Sequence, residues 1–206
     1  MPDASVDAVV TDPPYNEVNR ASNGLRVLDK GAADSSVIRV RPLAAELARI
    51  SRGWLFVWCG TEQVSLWRRA FVRQGLSTRV GVWHKTDPSP MNGEYLYLSA
   101  VELCVIAKKP GAPFFRHCVH PVWRGPVERN IDWHPTPKPV WLMRELIEAT
   151  VPPGGLVLDP FMGSGATGVA ALSNGYGFIG CELNPEWAEK ARRRLEDSPL
   201  SLFGAA

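Results

Sequence analysis

The sequence predicts an α/β fold in which a parallel sheet is joined by crossover helices. Two observations carry this. From Ser5 to His84, short apolar runs alternate with segments of helical period, in the order strand, helix, strand, helix, strand. In addition, two apolar runs far apart in the chain, ending at Val10 and at Leu158, each stop at an acidic residue followed by proline. A carboxylate is thereby placed at the carboxyl end of a strand, where open α/β sheets bind their ligands.

Taken in order, the first strand covers 5–10 and ends at Thr11-Asp12. Pro13 and Pro14 follow; they lack N–H groups and have fixed φ angles, so the turn is rigid and its carbonyls are free to accept hydrogen bonds. Tyr15 adds a flat ring. An acid, a fixed carbonyl and an aromatic face together suit a planar amine; the plainer alternative is a strand ending in a proline-rich turn. Residues 16–36 are polar, with no clear period, and too long for an ordinary connector, so they read as a functional loop or a partly disordered one. Helical spacing through Ile38, Leu43, Leu47 and Ile50 predicts a helix that starts near Pro42. A strongly apolar strand follows over 53–60. Thr61 can cap a helix over 62–74 with Val64, Trp67 and Phe71 on one face, and 77–84 is a further strand.

A loop rich in proline, glycine and polar residues over 85–98 leads to a strand over 101–107. Residues 111–133 show little periodicity but carry Phe114, Phe115, Arg116, Trp123, Arg124 and Arg129. Aromatic and arginine side chains on a loop suit nucleic-acid contacts, and they equally suit a loop pinned to the core. The stiff turn His134-Pro135-Thr136-Pro137-Lys138-Pro139 precedes a helix over 140–149 with Leu142, Leu146 and Ile147 on one side.

The run 156–158 is then a short buried strand with Asp159 at its end. Gly163 and Gly165 let the backbone turn tightly and approach a ligand, and Ser164 or Thr167 can cap a helix over 166–174. A strand over 178–182 brings Glu182 to a second strand end. A last helix over 185–196 closes in Arg192-Arg193-Arg194, a basic turn that complements the helix dipole. The glycine turn also fits G-x-G-x-x-G through Gly163, Gly165 and Gly168, with Glu182 as a ribose acceptor. A nicotinamide or flavin site is therefore a competitor, and an ordinary βα turn is another. Against a dinucleotide, Asp159-Pro160-Phe161 intervenes between strand and turn, a carboxylate there would repel a pyrophosphate, and little chain follows.

At 206 residues, 45% of them hydrophobic and 21% charged, the chain suits one globular domain, 1–206. The net charge of +2 does not announce a nucleic-acid binder. Arg52, Arg68, Arg69, Arg73 and Arg79 cluster where acids are sparse, as a solvated helix face or a basic patch. The four cysteines have no paired spacing, which predicts reduced, cytoplasmic thiols. His117, Cys118, His120 and His134 fit no standard metal spacing, so no metal site is expected. No segment has the character of a signal peptide or a membrane span.

Asp12-Pro13-Pro14-Tyr15, the His134–Pro139 turn and Asp159-Pro160-Phe161-Met162-Gly163-Ser164-Gly165 together resemble the signature set of the amino DNA methyltransferases. Their order is that of the permuted β group, and the resemblance covers nearly the whole chain. It implies a Rossmann-like S-adenosylmethionine-dependent methyltransferase sheet with helices on both faces. It further implies methyl transfer from S-adenosylmethionine to the exocyclic amine of a flipped base in double-stranded DNA, N6 of adenine being favoured and N4 of cytosine the alternative. Asp12 and the Pro13 carbonyl would bind the target amine, with Pro14 in the same motif, and Tyr15 would stack on the base. Asp159, Pro160, Phe161, Gly163, Ser164 and Gly165 would wrap the methionine portion of the cofactor. Glu182 would accept the ribose hydroxyls, Asn184 would join the cofactor-binding set, and Thr136 and Lys138 would close over the amino-acid end.

Members of that family carry a strand with an acidic end ahead of the stretch matching residues 2–7. The start is therefore expected to be truncated or the adenine pocket incomplete. The segment left for DNA recognition, about 85–133, is short, which predicts weak sequence selectivity or selectivity reached by a homodimer. Two other readings remain at this level: a cofactor- or DNA-binding relative with little catalysis, and a Rossmann oxidoreductase.

Overall fold

The computed structural model describes residues 1–15, 37–90 and 93–198. The expected functional loop over 16–36, with Arg20, Arg26 and Lys30, lies outside the described residues. The elements run β1 (Val6–Thr11), α1 (Val40–Ile50), β2 (Ser51–Cys59), a 3-10 turn (Thr61–Gln63) continuing into α2 (Val64–Val72), β3 (Ser77–Lys85), β4 (Val101–Lys108), β5 (Val122–Gly125), α3 (Val140–Thr150), β6 (Leu156–Asp159), α4 (Ala166–Leu172), β7 (Gly177–Gly180) and α5 (Pro185–Glu196). The strands form one sheet of order β5-β3-β4-β2-β1-β6-β7.

Helices cover both faces, and this is why β1 is apolar almost throughout. On one face α1 and α2 set Ala44, Leu47, Trp67 and Phe71 against Val9, Leu55, Val57 and Val105. On the other, α3 and α4 set Leu142, Leu146 and Ala170 against Ala8, Val10, Trp58 and Val157. A central strand buried on both sides needs apolar residues at every position rather than at alternate ones. β1 lies between β2 and β6, parallel to both, so the Asp12 and Asp159 strand ends are neighbours at one edge of the sheet.

The sheet is mixed, which corrects the expectation of a parallel one. β4 lies between β2 and β3 and runs antiparallel to both. The physical reason is the connection. The 86–100 loop contains no helix among its described residues, so the chain returns beside β3 as a hairpin does, and only a crossover could have made it parallel. β5 was not predicted; it is four residues long and pairs parallel with β3 at the sheet edge. Several boundaries also move. α1 starts at Val40, two residues ahead of Pro42, which thus sits in the first turn where a proline is tolerated. α4 ends at Leu172, and β7 ends at Gly180, so Glu182 and Cys181 lie just beyond the strand. The expected side-chain caps from Thr61, Ser164 and Thr167 are not formed; Gly60 and Gly165 hold those cap positions.

The 111–133 segment is pinned at most of its distinctive side chains. Phe114 packs on Trp54, with ring centroids 5.4 Å apart. Arg116 pairs with Glu145 and Glu148 of α3. Trp123 packs on Trp58 at 6.1 Å, and Arg129 makes a forked contact with Asp87 at 2.9 and 3.1 Å. Among the described residues, no helix is long and apolar enough to cross a membrane.

Candidate active site

The two strand ends are joined through one buried carboxylate. Asp159, only 3% exposed, accepts from Thr11 Oγ1 at 2.7 Å, from Thr167 Oγ1 at 2.8 Å and from the Phe161 N–H at 3.1 Å. Thr11 belongs to β1 and Thr167 to α4, so the acid ties strand, neighbouring strand and following helix together. Burial pushes its pKa up, the hydrogen bonds offset part of that, and it ends at about 6.

The glycine turn is shaped by backbone that other residues would not adopt. Gly163 has φ +46° and Gly165 φ +78°, and a Cβ on Gly163 would stand 2.7 Å from Nε2 of His134. Both glycines are therefore favoured by conformation, and Gly163 by close approach as well. His134 lies against Trp187 of α5, with ring centroids 4.7 Å apart, and burial lowers its pKa. Arg194, at the end of α5, donates to the Ser164 carbonyl at 2.9 Å. One member of the triple arginine thus returns to brace the turn, which composition did not reveal.

Asp12 follows β1 and meets a buried chain of charges. Lys138 is 9% exposed; its ammonium donates to Asp12 Oδ2, lies 3.0 Å from Glu102 Oε2 and 3.4 Å from the Tyr15 hydroxyl. Lys85 holds the other Glu102 oxygen at 2.7 Å. Burial works against the Lys138 ammonium, but Asp12 and Glu102 outweigh it and raise its pKa above the ordinary lysine value. Burial also opposes Glu102, yet Lys138 and Lys85 bring its pKa down to about 2. The Lys138 ammonium further sits over the rings of Tyr15 and Trp58, at 5.6 and 5.8 Å.

A cavity of about 60 Å³ lies between the two strand ends. Asp12, expected on the target amine, and Thr136, Lys138, Asp159, Phe161, Gly163 and Ser164, expected on the cofactor, line it. Thr11, Trp58, His134, Met143, Met162, Ala166 and Thr167 also line it. Pro13, Pro14, Tyr15, Pro160, Gly165, Glu182 and Asn184 do not. Glu182 stands beside the turn, accepting from the N–H groups of Gly163 at 3.0 Å and Asn184 at 2.9 Å. The Asn184 side chain caps α5 by accepting from Glu186 and Trp187. Glu102 was overlooked in the sequence, although a lone carboxylate in an apolar strand signals a buried partner.

The family model for N6 and N4 DNA methylases matches residues 6–193. The chain belongs to the DNA methylase family. The methylase is 28% identical over 227 residues to the type II methyltransferase M2.DpnII of Streptococcus pneumoniae, covering 95% of this chain and 84% of that protein. It is 28% identical over 232 residues to the DNA adenine methyltransferase YhdJ of Escherichia coli strain K12, covering 95% and 78%. The crystal structure of the M1.HpyAVI–SAM complex superposes with a TM-score of 0.75 at 25% identity, covering 93% of the methylase and 89% of that chain. The Rossmann-like methyltransferase fold predicted from the sequence is thus the fold observed, with the mixed sheet described above, and the oxidoreductase alternative falls away.

Proposed function

We propose that the methylase transfers a methyl group from S-adenosylmethionine to the exocyclic amine of a base taken out of duplex DNA, with N6 of adenine as the favoured target. One observation carries the reading: Asp12 Oδ1 is buried and accepts no hydrogen bond from the described residues. It belongs to a residue lining the same cavity as Asp159 and the glycine turn. A buried carboxylate oxygen left without a donor is costly unless a ligand supplies one. The adenine preference rests on the aspartate that opens the Asp12–Tyr15 motif and on the likeness to an adenine methyltransferase; N4 of cytosine is the alternative.

The residues present fit the cofactor. Asp159, Phe161, Gly163 and Ser164 line one cavity, and the buried Asp159 carboxylate is relieved by a cation, which the sulfonium and ammonium of S-adenosylmethionine would provide. Asp159, Pro160, Phe161, Gly163, Ser164 and Gly165 would hold its methionine portion, Thr136 would close that end, and Glu182 with Asn184 would face the ribose. When bound, the cofactor supplies an electrophilic methyl group whose bond to sulfur breaks as a bond to nitrogen forms. The chain's part is to prepare the nitrogen. An exocyclic amine is a poor nucleophile because its lone pair is conjugated into the ring. Accepting its two hydrogens at Asp12 Oδ1 and at the Pro13 carbonyl favours the tetrahedral nitrogen of the transition state. Tyr15 stacks on the base and offsets part of the unstacking cost of a few kcal/mol. The proton displaced from nitrogen leaves to solvent.

The proposal also takes residues 1–206 as one catalytic domain, residues 85–133 as the main described surface for DNA, and the cytoplasm as the location. Replacing Asp12 with Ala should abolish methyl transfer to unmethylated DNA while S-adenosylhomocysteine still binds. Activity within a few-fold of the parent would sink the assignment of Asp12. The target base follows from expression in a host lacking its own methylases, digestion of the genome to nucleosides and mass spectrometry.

A further inference from the structure

Asp12 offers two oxygens, and the structure treats them differently. Oδ2 receives the Lys138 ammonium, and the Tyr15 hydroxyl also interacts with this carboxylate; Oδ1 is buried and has no hydrogen bond from the described residues. Lys138 is not a free cation that happens to lie nearby. Glu102 faces it from β4 at 3.0 Å, a contact of charges rather than a well-directed hydrogen bond, and Lys85 at the end of β3 fixes the opposite oxygen of Glu102 at 2.7 Å. The four charges alternate in sign, Lys85, Glu102, Lys138, Asp12, and sum to zero. Three of the four side chains are no more than 22% exposed and Asp12 is 26% exposed. A buried ammonium held from one side only would be drawn over the whole Asp12 carboxylate and could occupy both oxygens.

We propose that Glu102 is a positioning residue for methyl transfer: with Lys85 behind it, Glu102 holds Lys138 on Oδ2 of Asp12, so that Oδ1 alone is presented to the target amine. The inference rests on the assignment of Asp12 to that amine. It moves Lys138 from the cofactor side, where the family resemblance placed it, to the substrate side. The chain spans three elements, β3, β4 and the turn before α3, so the orientation of Asp12 is fixed by the fold rather than by its own short turn. Placement to within about an ångström matters, because misplacement on that scale costs about 100-fold in rate.

The test is a double-mutant cycle read by single-turnover methyl transfer to unmethylated DNA at saturating S-adenosylmethionine. The variants are Glu102→Gln, Lys138→Met and the two combined, each titrated with S-adenosylhomocysteine. Glu102→Gln should lower the transfer rate about 10- to 100-fold and leave S-adenosylhomocysteine affinity unchanged. Lys138→Met should do the same. The combination should be no slower than the slower single variant, because both act through one carboxylate. A parental rate in Glu102→Gln would overturn the proposal, and so would losses that multiply, or a Lys138→Met defect confined to cofactor affinity. Should Glu102→Gln fold poorly, the charge-balanced pair Glu102→Gln with Lys85→Met takes its place under the same expectation, since one charge of each sign is removed. The two readings separate cleanly. An active Asp12→Ala variant sinks the amine assignment, whereas an inactive Asp12→Ala beside a fully active Glu102→Gln sinks only the role of Glu102.

Discussion

Asp159 and Asp12 are both carboxylates at parallel strand ends, yet their surroundings differ. Asp159 receives two hydroxyls and one N–H and is still raised to about 6, because burial outweighs them. Its folded pKa lies above its unfolded value of 3.8. The contribution of this group to stability is therefore fully present below pH 4 and is lost as pH rises through 6. A cation placed against it reverses that penalty. Binding of S-adenosylmethionine should accordingly favour the ionised form, so affinity should rise with pH up to about 6 and then level off, by at most about tenfold per pH unit. Calorimetric titrations between pH 5 and 7.5 check this. Asp159→Asn should flatten the profile. An affinity that does not change across pH 6 in the parent would show that the cofactor's charge never meets Asp159.

At the scale of elements, the hairpin between β3 and β4 joins the charge chain at Asp12 to an exposed apolar tip. Its two roots, Lys85 and Glu102, are the first two members of the charge chain that ends on Asp12. Its tip carries Tyr95, Leu96, Tyr97 and Leu98, exposed by 68, 57, 104 and 42%. Four consecutive apolar or aromatic side chains in water, on the edge of the sheet that bears the site, mark a contact surface. Stacking on bases is sequence-tolerant and worth about 1–3 kcal/mol per base. Replacing Tyr95 and Tyr97 with Ser should therefore weaken DNA binding by about 1–3 kcal/mol for each ring that stacks on a base. Melting temperature and S-adenosylhomocysteine affinity should not move, since exposed side chains contribute little to folding. Unchanged DNA affinity, measured by fluorescence anisotropy, would remove the hairpin from the interface.

This hairpin also shows where the sequence stopped being legible. β1, β6 and α5 could be located because local signals agree: a doubly buried apolar run, a strand cut short by Asp-Pro, and Asn184 with Pro185 opening a helix. The direction of β4 could not be read, because an apolar run looks the same in either sense and only the missing crossover helix betrays it. β5 is four residues long and only partly buried, too short for any period to register. The site divides in the same way. The glycine turn and Asp12 lie in compact motifs, whereas the link from Lys138 to Glu102 joins residues on separate elements and exists only once the sheet is assembled.

On the scale of the molecule, the question is how 206 residues of net charge +2 hold a polyanion. Some arginines are engaged within the protein: Arg116 with Glu145 and Glu148, Arg129 with Asp87, Arg192 and Arg193 with Glu189. Other exposed arginines, Arg69, Arg73 and Arg124 among them, make no ion pair among the described residues and remain for phosphate, and the described residues contain no separate recognition domain. Two consequences follow together. With no separate recognition domain among the described residues, most of the affinity should come from the phosphates and should fall linearly on a plot of log affinity against log salt, with a slope of about −0.9 per phosphate neutralised. In addition, one subunit alone should discriminate weakly between sequences, and selectivity should rise when two subunits share a site. Both are measured by titrating one DNA over a range of salt, and by sequencing the methylated positions over a range of enzyme concentrations while the oligomeric state is followed in solution. A shallow slope together with sharp selectivity at the lowest enzyme concentration would contradict this account. It would mean that a single subunit reads bases directly through contacts that neither the pinned 111–133 segment nor the hairpin tip provides.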